Sequence, residues 1–356
     1  TSCSIIQRTV LVRNIDFKTQ TKVSLIASLV SGGVGITMAL YHCGVWSLVG
    51  QQLSRQFFNS VLLWIYGKWR PLWEFSYKSF KDLFGFGSKL LLSGLIDVFY
   101  KNVYYIVIGR YYSATQLGQY TRAEQFSTIF SSNLTSVVQR VSYPVLSSIQ
   151  EEPERLRDAY RKIIKVTMLI TFALMFGLAA IAKPLIVILI GEKWLMAVPF
   201  LQIICFSEML YPLHAINLNI LQVRGYSGLF LKLEIVKKII AVIPIMIGIF
   251  WGINYMLWGA VCISLVSYIL NSYYSGRLID YSTVKQVKDI FPCFLVSSLV
   301  ALLMWGITFL HFNYWVTLLL QVSVGILLAI VAYERMRLEE YKEIRRIILS
   351  IIRKNS

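Results

Sequence analysis

Ten apolar runs, near 23–41, 45–66, 86–109, 117–139, 163–182, 195–222, 229–250, 255–274, 290–310 and 314–333, follow one another along this chain. A stretch of about 20 apolar residues wound into a helix matches the hydrocarbon thickness of a bilayer, and the bilayer interior leaves helices as the natural way to satisfy the backbone. Composition agrees: 56% of the residues are hydrophobic and only 15% charged, against about 25% charged in soluble domains. The expected fold is an all-α polytopic membrane protein with about ten transmembrane helices.

The loops between the runs are of two kinds. "YHCG", "GEKW", "WGINY" and "HFNYW" are short and nearly uncharged, whereas the others are longer and basic. Segments 1–22, 67–89, 140–165, 224–238, 275–289 and 334–356 hold 29 of the 35 Lys and Arg residues. Basic loops stay on the cytoplasmic side, so both ends of the chain are expected inside. This distribution also accounts for the net charge of +17 without a polyanion, and nucleic acid is not an expected partner. Trp46, Trp69, Trp194, Trp251 and Trp315 near span ends fit interfacial belts. In the tail 334–356, Ile344, Ile347, Ile348, Ile351 and Ile352 recur at helical spacing among Arg and Lys, the pattern of an amphipathic helix on the cytoplasmic leaflet.

Catalytic signatures are missing. The cysteines Cys3, Cys43, Cys205, Cys262 and Cys293 are scattered, without metal-ligand spacing, and neither a metal nor a cofactor is expected. There is no HExxH, GxSxG or P-loop, and no cytoplasmic loop is long enough for an ATPase or glycosyltransferase domain. "GFGSKLLLSG" is no nucleotide fingerprint, since no strand precedes it; its glycines, like those of "SGGVGITMAL", suit close helix approach. The chain opens Thr-Ser-Cys-Ser, without Met or a signal peptide, and is expected to be the remainder of a longer protein.

Charges inside the apolar runs are the informative residues, because each costs on the order of 3 kcal/mol to insert. Asp97 and Lys101 are spaced to share a helical face. Arg110 follows near the outer end of the same span, and Arg122 and Glu124 open the next one. Two readings stay open: an internal ion-pair network locking spans 86–109 and 117–139 together, or the lining of a water-filled cavity. Two acids against three bases leave one net positive charge, which suits an anionic substrate. Tyr100, Tyr104, Tyr105, Tyr111, Tyr112 and Tyr120 could present aromatic faces and hydroxyls to sugars, or sit in the belt. Further along, Glu208, His214, Asn217 and Asn219 are polar within an apolar run that Pro212 can bend. Glu208 could couple to H⁺ or Na⁺; interhelical hydrogen bonding is the alternative.

Several segments are informative as spelled: "QRTVLVRNIDFK" (7–18), "GVWSLVGQQL" (44–53), "WRPLWEFS" (69–76), "LFGFGSKLLLSGLI" (83–96), "IVIGRYYSATQLGQYTRAEQF" (106–126), "SVVQRVSYPVLSSIQEEPERLRDAYRK" (136–162), "GEKW" (191–194) and "ILQVRG" (220–225). In this order they resemble the polysaccharide exporter and flippase branch of the multidrug/oligosaccharidyl-lipid/polysaccharide superfamily, of the colanic-acid and teichuronic-acid type. The resemblance implies a MATE-like bundle of two helical lobes around a central cavity, N-terminally truncated here. Residues 1–80 would be the remainder of the first lobe, 81–282 the second lobe, 283–333 two additional C-terminal helices and 334–356 a cytoplasmic amphipathic tail. It implies a transporter rather than an enzyme. The substrate would be a polyprenyl-pyrophosphate-linked oligosaccharide or its polymer, crossing the bacterial cytoplasmic membrane by alternating access. The phospholipid bilayer and polysaccharide polymerase or assembly proteins would be its other partners. Lys101, Arg110 and Arg122 would be the cavity cations that hold the phosphates, and Asp97, Glu124 and Glu208 the acids available for ion coupling. Competing classes are a lipid II flippase or drug/cation antiporter of the same superfamily, and a membrane-embedded enzyme of polysaccharide assembly. A cationic-drug pump should have an acidic cavity, and the enzyme a large outer loop with catalytic Arg or His.

Overall fold

The computed structural model describes residues 4–13, 16–67, 76–336 and 341. Every one of the ten apolar runs is helical, and among the described residues there is no strand. Among the described residues there are thirteen α-helices: α1 Ile5–Arg13, α2 Phe17–Leu40, α3 Trp46–Tyr66, α4 Tyr77–Tyr111, α5 Ala114–Ser148, α6 Pro153–Ile190, α7 Ala197–Glu208, α8 Tyr211–Val223, α9 Ser227–Ile240, α10 Val242–Trp251, α11 Ile253–Leu278, α12 Thr283–Gly306 and α13 Tyr314–Arg335. Two compact units divide them, Thr1–Leu91 and Leu92–Ser356, with the boundary inside α4.

In the first unit α2 and α3 form an antiparallel hairpin. Asp16 caps α2, accepting from the Thr19 backbone N–H at 3.1 Å and from its hydroxyl at 2.7 Å. These bonds, the hydroxyl first, hold the Asp16 carboxyl below the usual carboxylate range. Gly50 lies directly against the Met38 side chain, a closeness that any Cβ would prevent. Leu11, Val23 and Leu63 form a small core. Leu25, Leu29, Ile36, Leu48 and Leu53 point outward, as on a helix pair whose solvent is hydrocarbon.

The second unit is organised around α6, which packs against α5, α7, α8, α12 and α13. Tyr160, Ile164, Met168, Phe172, Met175 and Ile186 bury one side of α6 along its whole length. α10 and α11 approach closely where Gly259 meets Pro244: a Cβ on Gly259 would lie 2.9 Å from the proline Cβ. At the end of the unit that carries its basic loops, Arg161 of α6 donates to both oxygens of Asp289 on α12, at 2.5 and 2.7 Å. Tyr281 donates to the same carboxylate at 2.7 Å. Burial, and then the bond to Asp289, raise the Tyr281 phenol above its ordinary range.

The helices differ from the ten expected spans in continuity. Run 195–222 is two helices, α7 and α8, parted at Met209–Leu210 just before Pro212, which sits in the first turn of α8. Run 229–250 is likewise α9 and α10, parted at Ala241 three residues before Pro244. Run 290–310 closes with a 3-10 turn, Ile307–Leu310. A proline lacks the N–H that a continuous helix needs and crowds the preceding turn, which accounts for both partings. Among the described residues five helices are by themselves long and apolar enough to cross a membrane: Lys18–Leu40, Pro153–Ile190, Ile253–Leu278, Thr283–Leu310 and Tyr314–Arg335. The protein is thus a helical, multi-pass membrane protein. Most of the tail expected as an amphipathic helix, 337–356, lies outside the described residues apart from Tyr341.

Candidate functional site

Only Tyr112 and Ser113 join α4 to α5. The Ser113 hydroxyl accepts from Gln116 N–H at 3.2 Å while Gln116 Oε1 accepts from Ser113 N–H at 3.4 Å, a reciprocal cap that starts α5 sharply. The turn makes the two helices antiparallel neighbours, as their short connection predicts. Tyr104 and Tyr105 meet Tyr120 across the hairpin, with ring centroids 6.4 and 5.8 Å apart.

The charged residues then separate. Asp97 and Lys101 belong to α4, but their side chains, and with them the expected pair, lie outside the described residues. Arg110 is exposed in the last turn of α4, where a cation complements the helix C-terminus. Arg122 is exposed on α5; its guanidinium donates to Gln125 Oε1 at 2.8 Å and lies over the Trp194 ring at 5.4 Å. Glu124 is half-buried and accepts from the Tyr105 hydroxyl. Residues two apart on a helix point in different directions, so Arg122 and Glu124 are turned to different neighbours. Among the described residues, none of Arg110, Arg122 and Glu124 takes part in an ion pair.

Glu208 ends α7, where the helix breaks. Ser131 donates to its Oε2 at 2.5 Å. Ser131 stands seven residues after Glu124 on α5, two turns or about 10 Å farther along the same face. Tyr120 is within electrostatic reach of both carboxylates. Glu124, Ser127, Ser131, Thr135 and Ser142 therefore make a polar band down α5 on the side that packs against α7 and α8. Ser127 and Thr135 bond back to carbonyls of their own helix, while Ser142 accepts from Asn219 of α8 at 3.2 Å.

The remaining polar residues of α8 tie helices together. Asn217 accepts from Tyr160 at 2.9 Å and from Ser275 at 2.5 Å, joining α6, α8 and α11. His214 Nε2 lies 3.2 Å from the Ser264 hydroxyl, which donates to the Ser207 carbonyl at 3.0 Å. Ser131, Gln119 and Lys193 are absent from the sequence-level candidates, although the seven-residue step from Glu124 to Ser131 could have flagged the first. Trp194, expected in an interfacial belt, lies under two cations: Arg122, and Lys193 at 5.8 Å.

The profile of a family described as "Polysaccharide biosynthesis protein" matches residues 1–199. The teichuronic acid biosynthesis protein TuaB of Bacillus subtilis (strain 168) is 25% identical over 320 residues, covering 88% of this chain and 66% of TuaB. The succinoglycan biosynthesis transport protein ExoT of Rhizobium meliloti (strain 1021) is 26% identical over 198 residues, covering 56% of this chain and 40% of ExoT. The chain thus spans less than two thirds of the length of either relative. A solved structure of the lipid II flippase MurJ, in an inward closed conformation, superposes with a TM-score of 0.67 at 14% identity over 88% of this chain and 66% of that one. At that identity the likeness establishes the fold.

Proposed function

The chain belongs to the polysaccharide biosynthesis protein family, and we propose that it serves to move a lipid-linked oligosaccharide, or its polymer, across the bacterial cytoplasmic membrane. One observation carries the reading: Arg110 and Arg122 stand in the α4–α5 hairpin of an apolar protein with no carboxylate partner among the described residues. Both are exposed near helix ends, where water or an anion can meet them, and a pyrophosphate headgroup is such an anion.

Glu124 and Glu208 supply coupling groups. Each carboxylate is held by a hydroxyl, Tyr105 for one and Ser131 for the other. An ion gradient could be read through these hydroxyl bonds by the α4–α5 and α5–α7 contacts in turn. Lys101 and Asp97 would add a third cation and a third acid to the path.

The test uses the full-length protein in cells that lack their own polysaccharide exporter. Arg110→Ala and Arg122→Ala should insert at wild-type levels, while surface polysaccharide falls and lipid-linked intermediates accumulate inside. Unchanged export in both variants would remove the cations from the substrate path.

A further inference from the structure

At the end of the second unit opposite its basic loops, Arg122, one of the two cations of the transport reading, belongs to a larger arrangement. α6 stops at Gly191, whose φ of 94° turns the chain into the 3-10 helix Glu192–Trp194. That turn is fastened to α5 by Gln119, whose Nε2 donates to the Lys193 carbonyl at 2.8 Å. Trp194 is thereby placed beneath the Arg122 guanidinium, 5.4 Å from the ring centroid, and the Lys193 ammonium stands 5.8 Å from the same centroid. Both distances are within cation–π range. Two cations are held to one indole, and among the described residues neither is neutralised by a carboxylate.

Gln119 makes a second, independent point. Its side chain is only 4% exposed, and its Oε1 is buried without a hydrogen-bond partner among the described residues. A buried acceptor left unmade is expensive, and a ligand hydroxyl would satisfy it. The guanidinium of Arg122 spends a bond on Gln125, and its planar fork still offers donors to a second acceptor with two oxygens.

We propose that Gln119, Arg122, Lys193 and Trp194 form a binding site for an anionic sugar group, an oxyanion with a hydroxyl beside it. The oxyanion lies between the guanidinium and the ammonium, and the hydroxyl donates to Gln119 Oε1. The indole holds the two cations together against their mutual repulsion until the ligand arrives. This rests on the transport reading for the ligand's origin, since a lipid-linked glycan would bring such a group to this end of the molecule. The oxyanion has two possible sources, the phosphate that links sugar to lipid or the carboxylate of an acidic sugar.

Binding of glucose 1-phosphate and of glucuronic acid to the full-length protein in nanodiscs, followed by saturation-transfer NMR, separates these. Lys193→Gln and Arg122→Gln should each weaken the preferred probe by about tenfold or more, as loss of a charge-assisted contact does. Trp194→Phe, which keeps a ring, should cost about threefold or less. Gln119→Leu should weaken the sugar probes more than it weakens inorganic phosphate, which has no hydroxyl donor on a neighbouring carbon. Arg155→Gln, at the other end of the unit, should change nothing. Stronger binding of glucose 1-phosphate assigns the site to the lipid-linked phosphate, and stronger binding of glucuronate to an acidic sugar. Wild-type binding by both Lys193→Gln and Gln119→Leu overturns the site. The export assay is scored separately: export without variant-sensitive binding sinks the site alone, and variant-sensitive binding without export sinks the transport reading alone.

Discussion

The two ends of the second unit use the same residue types in opposite ways. Where its basic loops lie, cations meet carboxylates: Arg161 grips Asp289 with two hydrogen bonds, Tyr281 adds a third, and Arg155 and Arg157 sit beside Glu152 and Asp280. At the other end, Arg122 and Lys193 rest on an indole and an amide, and Glu124 is held by a phenol. A cation paired with a carboxylate has spent its charge on the fold. One held by neutral groups is positioned and keeps its charge for something else. The difference teaches that position on a helix end says little about a charged residue's task until its partner is known.

The contrast can be broken most easily at Asp289. Its side chain is 13% exposed, and Asp289→Asn removes the charge that Arg161 and Tyr281 both address. A loss of about 2–3 kcal/mol is expected, since bonds to a charged group are each worth about 1.5–3 kcal/mol, and it should show as a lowered thermal midpoint in detergent. An unchanged midpoint would mean that the clamp is decoration. Next comes Ser131→Ala, which strips a hydroxyl from Glu208 at the helix break. It should cost about 1 kcal/mol, with a larger change in the pH dependence of export than in stability; a stability loss with no change in that dependence would count against a coupling role for Glu208. Arg122→Gln should be smaller still for the fold, within about 0.5 kcal/mol as for an exposed side chain, while export falls; a large drop in the midpoint would place Arg122 with the structural cations. The smallest effect belongs to Arg155→Gln. Its partner Glu152 is three residues away and both are exposed, so about 0.3 kcal/mol is the ceiling for the midpoint measurement.

Much of this architecture could be read before any coordinates. Hydrocarbon-length apolar runs give helices because few other structures satisfy the backbone in lipid, and the tight α4–α5 turn is implicit in a short, polar connection. The parting at Met209–Leu210 was foreshadowed by Pro212. The parting at Ala241 was hidden, because Pro244 sits within an otherwise unbroken apolar stretch and hydropathy alone does not register it. Glu124 and Glu208 stood out as acids among apolar residues, but their partners did not. Tyr105 could be read as facing sugars or as a belt residue, and Ser131 is one of several serines on α5. Trp194 and Arg122 are 72 positions apart, and only the folding of the 3-10 turn onto α5 brings them together. Contacts of that kind depend on register between helices, which no local pattern encodes.

The clamp at Asp289 bears on how the protein is made. Arg161 precedes its partner by 128 residues, so at a synthesis rate of about 5–20 residues per second the guanidinium waits roughly 6–26 s for its carboxylate. If α6 is seated against α5, α7 and α8 before α12 docks on it, the bond to Asp289 closes last, and a stalled chain that ends before Asp289 should expose the near end of α6 to protease.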